Sequence, residues 1–169
     1  TNPVHYVKTQ FLFAACKAGN IEAVKKAVKN GADINALKCA GKYNDGISGD
    51  VERDGHFYVT PLVVAAMSMN NKKEAKNYQE IIQFLMAQPK LDLSRVAACH
   101  YDEYFRNTKR EWVFDGKNEE KVSIQSLLKS PMLQQQYRIS KEAAACLSSS
   151  VLKETALLQK QFQQNQMAG

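Results

Sequence analysis

Three histidines, four cysteines and one acidic run are the residues of this chain whose types could carry chemistry. The acidic run is Asp45, Asp50, Glu52 and Asp54. A calcium loop needs oxygen ligands at alternate positions and a closing Glu at the twelfth. Asp50-Val51-Glu52-Arg53-Asp54-Gly55 meets only the first half of that pattern and reads as an exposed acidic loop. The overlapping stretch Asp45-Gly46-Ile47-Ser48-Gly49-Asp50 has two glycines, but its acidic flanks repel phosphate. His5, His56 and His100 stand in no metal-ligand spacing to a cysteine or carboxylate. Cys99 and His100 are adjacent, and neighbours on a helix point about 100° apart, so they do not form a nucleophile–base pair. Cys16, Cys39, Cys99 and Cys146 contain no CxxC pair and read as reduced thiols of a cytosolic protein. No catalytic residue, metal site or cofactor is expected. An intact hydrolase would have to work through Cys99 or another isolated residue.

The chemistry the sequence does offer is recognition. Eight of its 15 aromatic residues fall within 37–59 and 95–123. They alternate with charged residues, and aromatic or Arg anchors inside a polar rim are the usual composition of a protein-binding hot spot. The expected contact residues are Tyr43, Asp50 and Arg53 in the first stretch. In the second they are Tyr101, Tyr104, Phe105, Arg106, Arg110 and Trp112. Phe57, Tyr58 and Phe114 lie nearer the roots and are expected to pin the segments to their own scaffold. The net charge of +6 is spread along the chain, and 95–123 holds six cations and six anions. That is no phosphate-binding stripe, so a nucleic-acid partner is not expected. No apolar run reaches the roughly 18 residues needed to span a bilayer, so no membrane partner is expected either.

The elements that must position these residues read as helices. With 44% hydrophobic residues, 8 Gly and 4 Pro, the chain suits one helix-rich domain over 1–169. Leu12 to Ala18 forms a short apolar helix, and Gly19-Asn20 breaks it. Ile21, Val24, Ala27 and Val28 share one face of a second helix that ends at Gly31. Thr60 and Pro61 open a third helix as cap and first residue. Lys72 to Glu80 reads as an early extension of the helix that carries Ile81 to Met86. Ser130-Pro131 opens another helix. Ser140 caps Lys141 to Leu147, and Ser149 or Ser150 caps a last helix that reaches about Gln164.

Gly19-Asn20-Ile21-Glu22-Ala23-Val24-Lys25 followed by Gly31-Ala32-Asp33-Ile34-Asn35-Ala36 resembles the second half of an ankyrin repeat. Thr60-Pro61-Leu62-Val63-Val64-Ala65-Ala66 resembles the start of the next, with Val63 where that family usually has His. The resemblance implies an all-α fold: an ankyrin-repeat helix-turn-helix solenoid with two long inserted loops and a helical C-terminal cap. Repeat 1 spans about 10–36 and repeat 2 about 60–94. Insertions occupy 37–59 and 95–123, a degenerate repeat 124–139, and capping helices 140–166. Insertions at equivalent positions emerge on one face, so these two should be neighbours. The irregular units are similar to the ankyrin modules of secreted bacterial effectors, including the Shigella OspC type. That likeness implies a host protein such as a caspase as partner and the host cytoplasm as location. The expected function is therefore a monomeric protein-interaction module that recruits or masks a target through two aromatic-rich fingers. The alternative is the substrate-recruiting domain of an enzyme whose catalytic domain lies upstream, which the missing initiator Met and the lack of catalytic residues would fit.

Overall fold

A computed structural model describes residues 3–70 and 73–168, leaving out the side chains of residues 44–48. In chain order the elements are α1 (Pro3–Ala18), α2 (Ile21–Lys29), β1 (Lys38–Ser48), β2 (Val51–Val59), α3 (Pro61–Ser68) and α4 (Ala75–Met86). They continue with β3 (Ala97–Arg106), β4 (Trp112–Val122), α5 (Ile124–Lys129), α6 (Pro131–Gln136) and α7 (Lys141–Ala168). Helix pairs thus alternate with β-hairpins, and the hairpins merge into one four-stranded antiparallel sheet ordered β1-β2-β3-β4.

The fold is mixed α/β, and this corrects the all-α solenoid expected from the ankyrin resemblance. Residues 37–59 and 95–123 are not inserted loops. Each is a pair of long strands joined by a tight turn. Ser48 pairs with Val51 around Gly49-Asp50, a two-residue turn, the commonest length of hairpin connection. In the second hairpin the Asn107 side chain accepts from the backbone N–H of Lys109 and of Glu111, each at 2.9 Å, which folds the chain back on itself. The two hairpins then join edge to edge. β2 and β3 pair without a bulge from Val51 opposite Phe105 to Val59 opposite Ala97. Their tips are tied as well, by the Arg106 N–H donating to the Asp50 carbonyl at 2.8 Å.

Local chemistry sets the helix ends. Asn20 caps α2 by accepting from the Ala23 N–H at 3.1 Å, and Ser130 caps α6 by accepting from Leu133 at 3.2 Å. Thr60 sits at the cap position of α3, but its hydroxyl does not cap the helix. It donates instead to the Val96 carbonyl at 2.7 Å, tying the end of β2 to the start of β3. The tail is one helix, not two: α7 runs unbroken through Ser148-Ser149-Ser150. Helix α4 starts at Ala75, and residue 72, the first of the expected early extension, lies outside the described residues.

One core joins helices to sheet. Leu12, Leu62, Ile81, Ile82 and Leu85 are fully buried between α1, α3 and α4. Val59, Ala97 and Val122 bring the roots of β2, β3 and β4 into the same cluster, and Leu127 and Leu147 close it from α5 and α7. At about 1.5–3 kcal/mol for each large buried aliphatic side chain, this cluster fixes the angle at which the sheet leaves the helices.

Candidate protein-interaction surface

Strand residues alternate between faces, and the β2–β3 register sorts the expected contact residues into two sets. On one face lie Tyr43, Arg53, Phe57, Cys99, Tyr101 and Glu103. Tyr43 and Tyr101 flank Gly55 in the register and meet above it at 5.6 Å. A side chain at Gly55 would collide with the His100 carbonyl oxygen and the Tyr101 Cα, so only glycine fits there. Phe57 packs edge-on against Tyr43 at 5.1 Å and against Tyr137, just past α6, at the same distance. These rings and Cys99 form a second small core that pins the sheet to the helices.

A polar network extends that core outward. Arg53 donates from Nε to Glu103 at 2.9 Å, lies 3.9 Å from Glu120, and covers the Tyr101 ring at 4.9 Å. The hydrogen bond to Glu103 is the main cause holding the guanidinium charged, with a further bond to Tyr43. The Tyr101 hydroxyl donates to Glu120 at 3.0 Å, and burial together with that carboxylate pushes it up to about 12. Tyr43 and Tyr101 are each only 7% exposed. Two of the expected contact residues are therefore fastened into the scaffold, and Arg53 cross-links three strands.

The opposite face carries His56 directly across from His100, and Asp54 across from Asp102. His100 lies 3.3 Å from Glu119 and stacks on Tyr58 at 4.6 Å. Cys99 and His100 occupy a strand and so point to opposite faces, which removes any direct thiol–imidazole pairing. Burial, with Glu120 nearby, raises the Cys99 thiol to about 11, the reverse of nucleophile activation. Asp50 sits at the first hairpin's turn, Glu52 and Asp54 lie on β2, and the side chain of Asp45 lies outside the described residues. Among the described residues no three His, Cys, Asp or Glu side chains come together in a way that could hold a metal ion.

The far end of the sheet, away from the helices, is where aromatic surface is left open. Tyr104 and Phe114 meet edge-on at 5.7 Å, and the Arg106 guanidinium lies over the Trp112 ring at 4.7 Å. Trp112 is 43% exposed and Phe114 52%. Phe105, 38% exposed, projects from the other face of the same end. Arg110 stands in the turn beside them, exposed, with a left-handed backbone at φ 64°. The structure therefore gathers Tyr104, Phe105, Arg106, Arg110 and Trp112, and sets Tyr43, Arg53 and Tyr101 apart as supports. It adds Phe114, which its position in the chain marks as a root residue. The two-residue alternation of β4 was the signal that would have turned Phe114 outward.

No protein-family model, no curated protein and no solved structure matches this chain. The ankyrin resemblance thus finds no support beyond its short motifs. The likeness to secreted bacterial effectors falls with it, and the caspase and host-cytoplasm expectations had rested on that likeness alone. Among the described residues no helix is long and apolar enough to cross a membrane.

Proposed function

We propose that the chain is a non-catalytic protein-binding module that recruits or masks a partner through the far end of its sheet. One observation carries the proposal: Tyr104, Arg106, Trp112 and Phe114 form an aromatic–arginine cluster on one face of the sheet end, with Phe105 exposed on the other, while the fold buries Tyr43 and Tyr101. Large rings on a rigid sheet add contact area with little loss of side-chain freedom on binding, and a stacked arginine adds donors at the rim. The network around Arg53 supports this reading because it braces the strands that present the cluster.

The test uses the only tryptophan of the chain. A partner recovered from lysate of the source cells is purified and titrated against the protein while Trp112 emission is followed. A Tyr104→Ala/Trp112→Ala variant, assayed by calorimetry, is expected to bind at least ~30-fold more weakly, the size of a hot-spot loss. Leu158→Ala, another exposed apolar position, should bind like the parent. Equal affinity of the folded double variant would end the proposal.

A further inference from the structure

A second recognition site lies where α1 and α3 face the edge strand β1. Here the chain encloses an open groove of about 560 Å³. Its floor is aliphatic and aromatic: Phe13, Ala14, Ala40, Val64 and Met67. Its charged residues are Lys17, Lys38 and Arg138, all cations and all exposed. None of the three joins an ion pair among the described residues. Lys38 is steered over the Phe13 ring at 5.7 Å, so its ammonium stays at the groove.

Arg138 gives an independent reason to read the groove as a site. It follows α6 with a left-handed backbone at φ 55°. The Ile139 N–H returns to the Gln134 carbonyl at 2.7 Å and the Arg138 N–H to Gln135 at 3.2 Å, a Schellman helix end. The same motif ends α1 at Gly19 and α2 at Gly31, where glycine adopts the left-handed turn without strain. At the end of α6, where Arg138 itself lines the groove, the chain has an arginine where glycine would be less strained. The side chain, not the turn, is the reason for an arginine there.

We infer that this groove binds an extended acidic segment of a partner protein, with carboxylates meeting Lys17, Lys38 and Arg138 and aliphatic side chains on the floor. The open edge of β1 gives such a segment a strand to lie along. The floor offers no exposed aromatic platform on which bases could stack, since Phe13 is buried, so a peptide fits it better than a nucleic acid. This site is separate from the aromatic end of the sheet and does not depend on it.

The probe is a fluorescent peptide that alternates Glu with Leu, followed by anisotropy, beside a Lys–Leu peptide and a single-stranded oligonucleotide of equal charge. Cys39 lines the groove and is exposed, so its labelling by a maleimide reports occupancy directly. The acidic peptide is expected to bind, to weaken as salt rises, and to slow Cys39 labelling at least 10-fold at saturation. Lys17→Glu/Lys38→Glu should lose at least 10-fold in affinity. Arg138→Gly should lose several-fold while its melting temperature stays equal or rises, which separates a binding loss from a folding loss. Trp112→Ala should bind the peptide normally, so the groove and the sheet end stand or fall separately. Equal binding of the Lys–Leu peptide, tighter binding of the oligonucleotide, unslowed Cys39 labelling, or full affinity in the charge-reversed variant would each overturn the inference.

Discussion

Among the described glycines Gly55 has the sharpest steric constraint, and its neighbours explain it better than its own type does. A Cβ there would stand 2.5 Å from the Tyr101 Cα and 2.7 Å from its Cβ, and would also strike the His100 carbonyl. Gly55→Ala is therefore expected to destabilise the fold by at least about 2 kcal/mol, since the strands must separate to admit the methyl group. Urea denaturation of the two proteins measures this, and a difference below about 0.5 kcal/mol would show that the strands are not held this closely. In the sequence Gly55 looks like the end of an acidic loop, because nothing local shows that two tyrosines from other strands lie on either side of it. The cysteines were more legible. Cys16 sits in an apolar helix and is fully buried, and burial pushes its thiol up to about 12. Cys99 is buried and raised to about 11, while Cys39 is exposed. A thiol-reactive dye at pH 8 should therefore label Cys39 first, Cys146 more slowly, and Cys16 and Cys99 only after denaturant is added, because the thiolate is the reacting form. Fast labelling of Cys99 in the native protein would contradict its burial in the small core.

At the scale of elements, the helices were readable from caps and spacing and the hairpins were not. Asn20 and Gly31 bound α2 as their residue types require. The hairpins carried their own signals, a short Gly49-Asp50 turn and a two-residue alternation through Ala97, Cys99 and Tyr101. Those signals are weak one at a time, because β2 and β4 are rich in charges that also suit a loop. They gain force from pairing across more than 40 residues of chain, as Arg53 with Glu103 and Phe57 with Cys99, which no local window contains. Helix α7 shows the complementary limit. Ala143 and Leu147 are buried against the core, yet beyond Thr155 every described residue is exposed. Val151, Leu158 and Phe162 share one side of the helix by their spacing, but that spacing does not tell how far the body extends beneath it. Removing residues 156–168 is expected to leave the melting temperature within about 1 °C, as surface changes do. Leu147→Ala should cost about 2–5 kcal/mol, as a core truncation does. Calorimetric melting of both variants decides this, and a large loss on truncation would mean that the outer half of α7 packs against something.

At the scale of the whole molecule, helices and sheet share one core, so groups buried in different elements should act on a single unfolding transition. Several of these groups shift in the same direction. Burial raises Cys16 in α1 to about 12, and burial with Glu120 raises Cys99 in β3 to about 11. Burial and the Glu120 hydrogen bond raise Tyr101 to about 12, and burial raises Tyr137 beyond α6. Each group is held neutral in the folded chain and ionises more easily once unfolded, at about 8.5 for a thiol and about 10 for a phenol. A raised folded value means that the unfolded chain loses its proton first as pH increases. The stabilisation is therefore complete below about pH 8 and declines through the interval between the unfolded and folded values. The thiols act first, above about pH 8.5, and the tyrosines join above about pH 10. Within its interval each group removes up to about 1.4 kcal/mol per pH unit. Urea midpoints measured from pH 7 to 11 should be level at first and then fall with increasing steepness. Cys16→Ala should flatten the early part of the fall, and Tyr101→Phe should flatten only the part above pH 10. A midpoint that holds steady to pH 11 would show that these groups do not share one cooperative core. A fall that leaves the helices folded while the sheet melts would show that the hairpins are a separate unit, and that the sheet end is not rigidly tied to the helices.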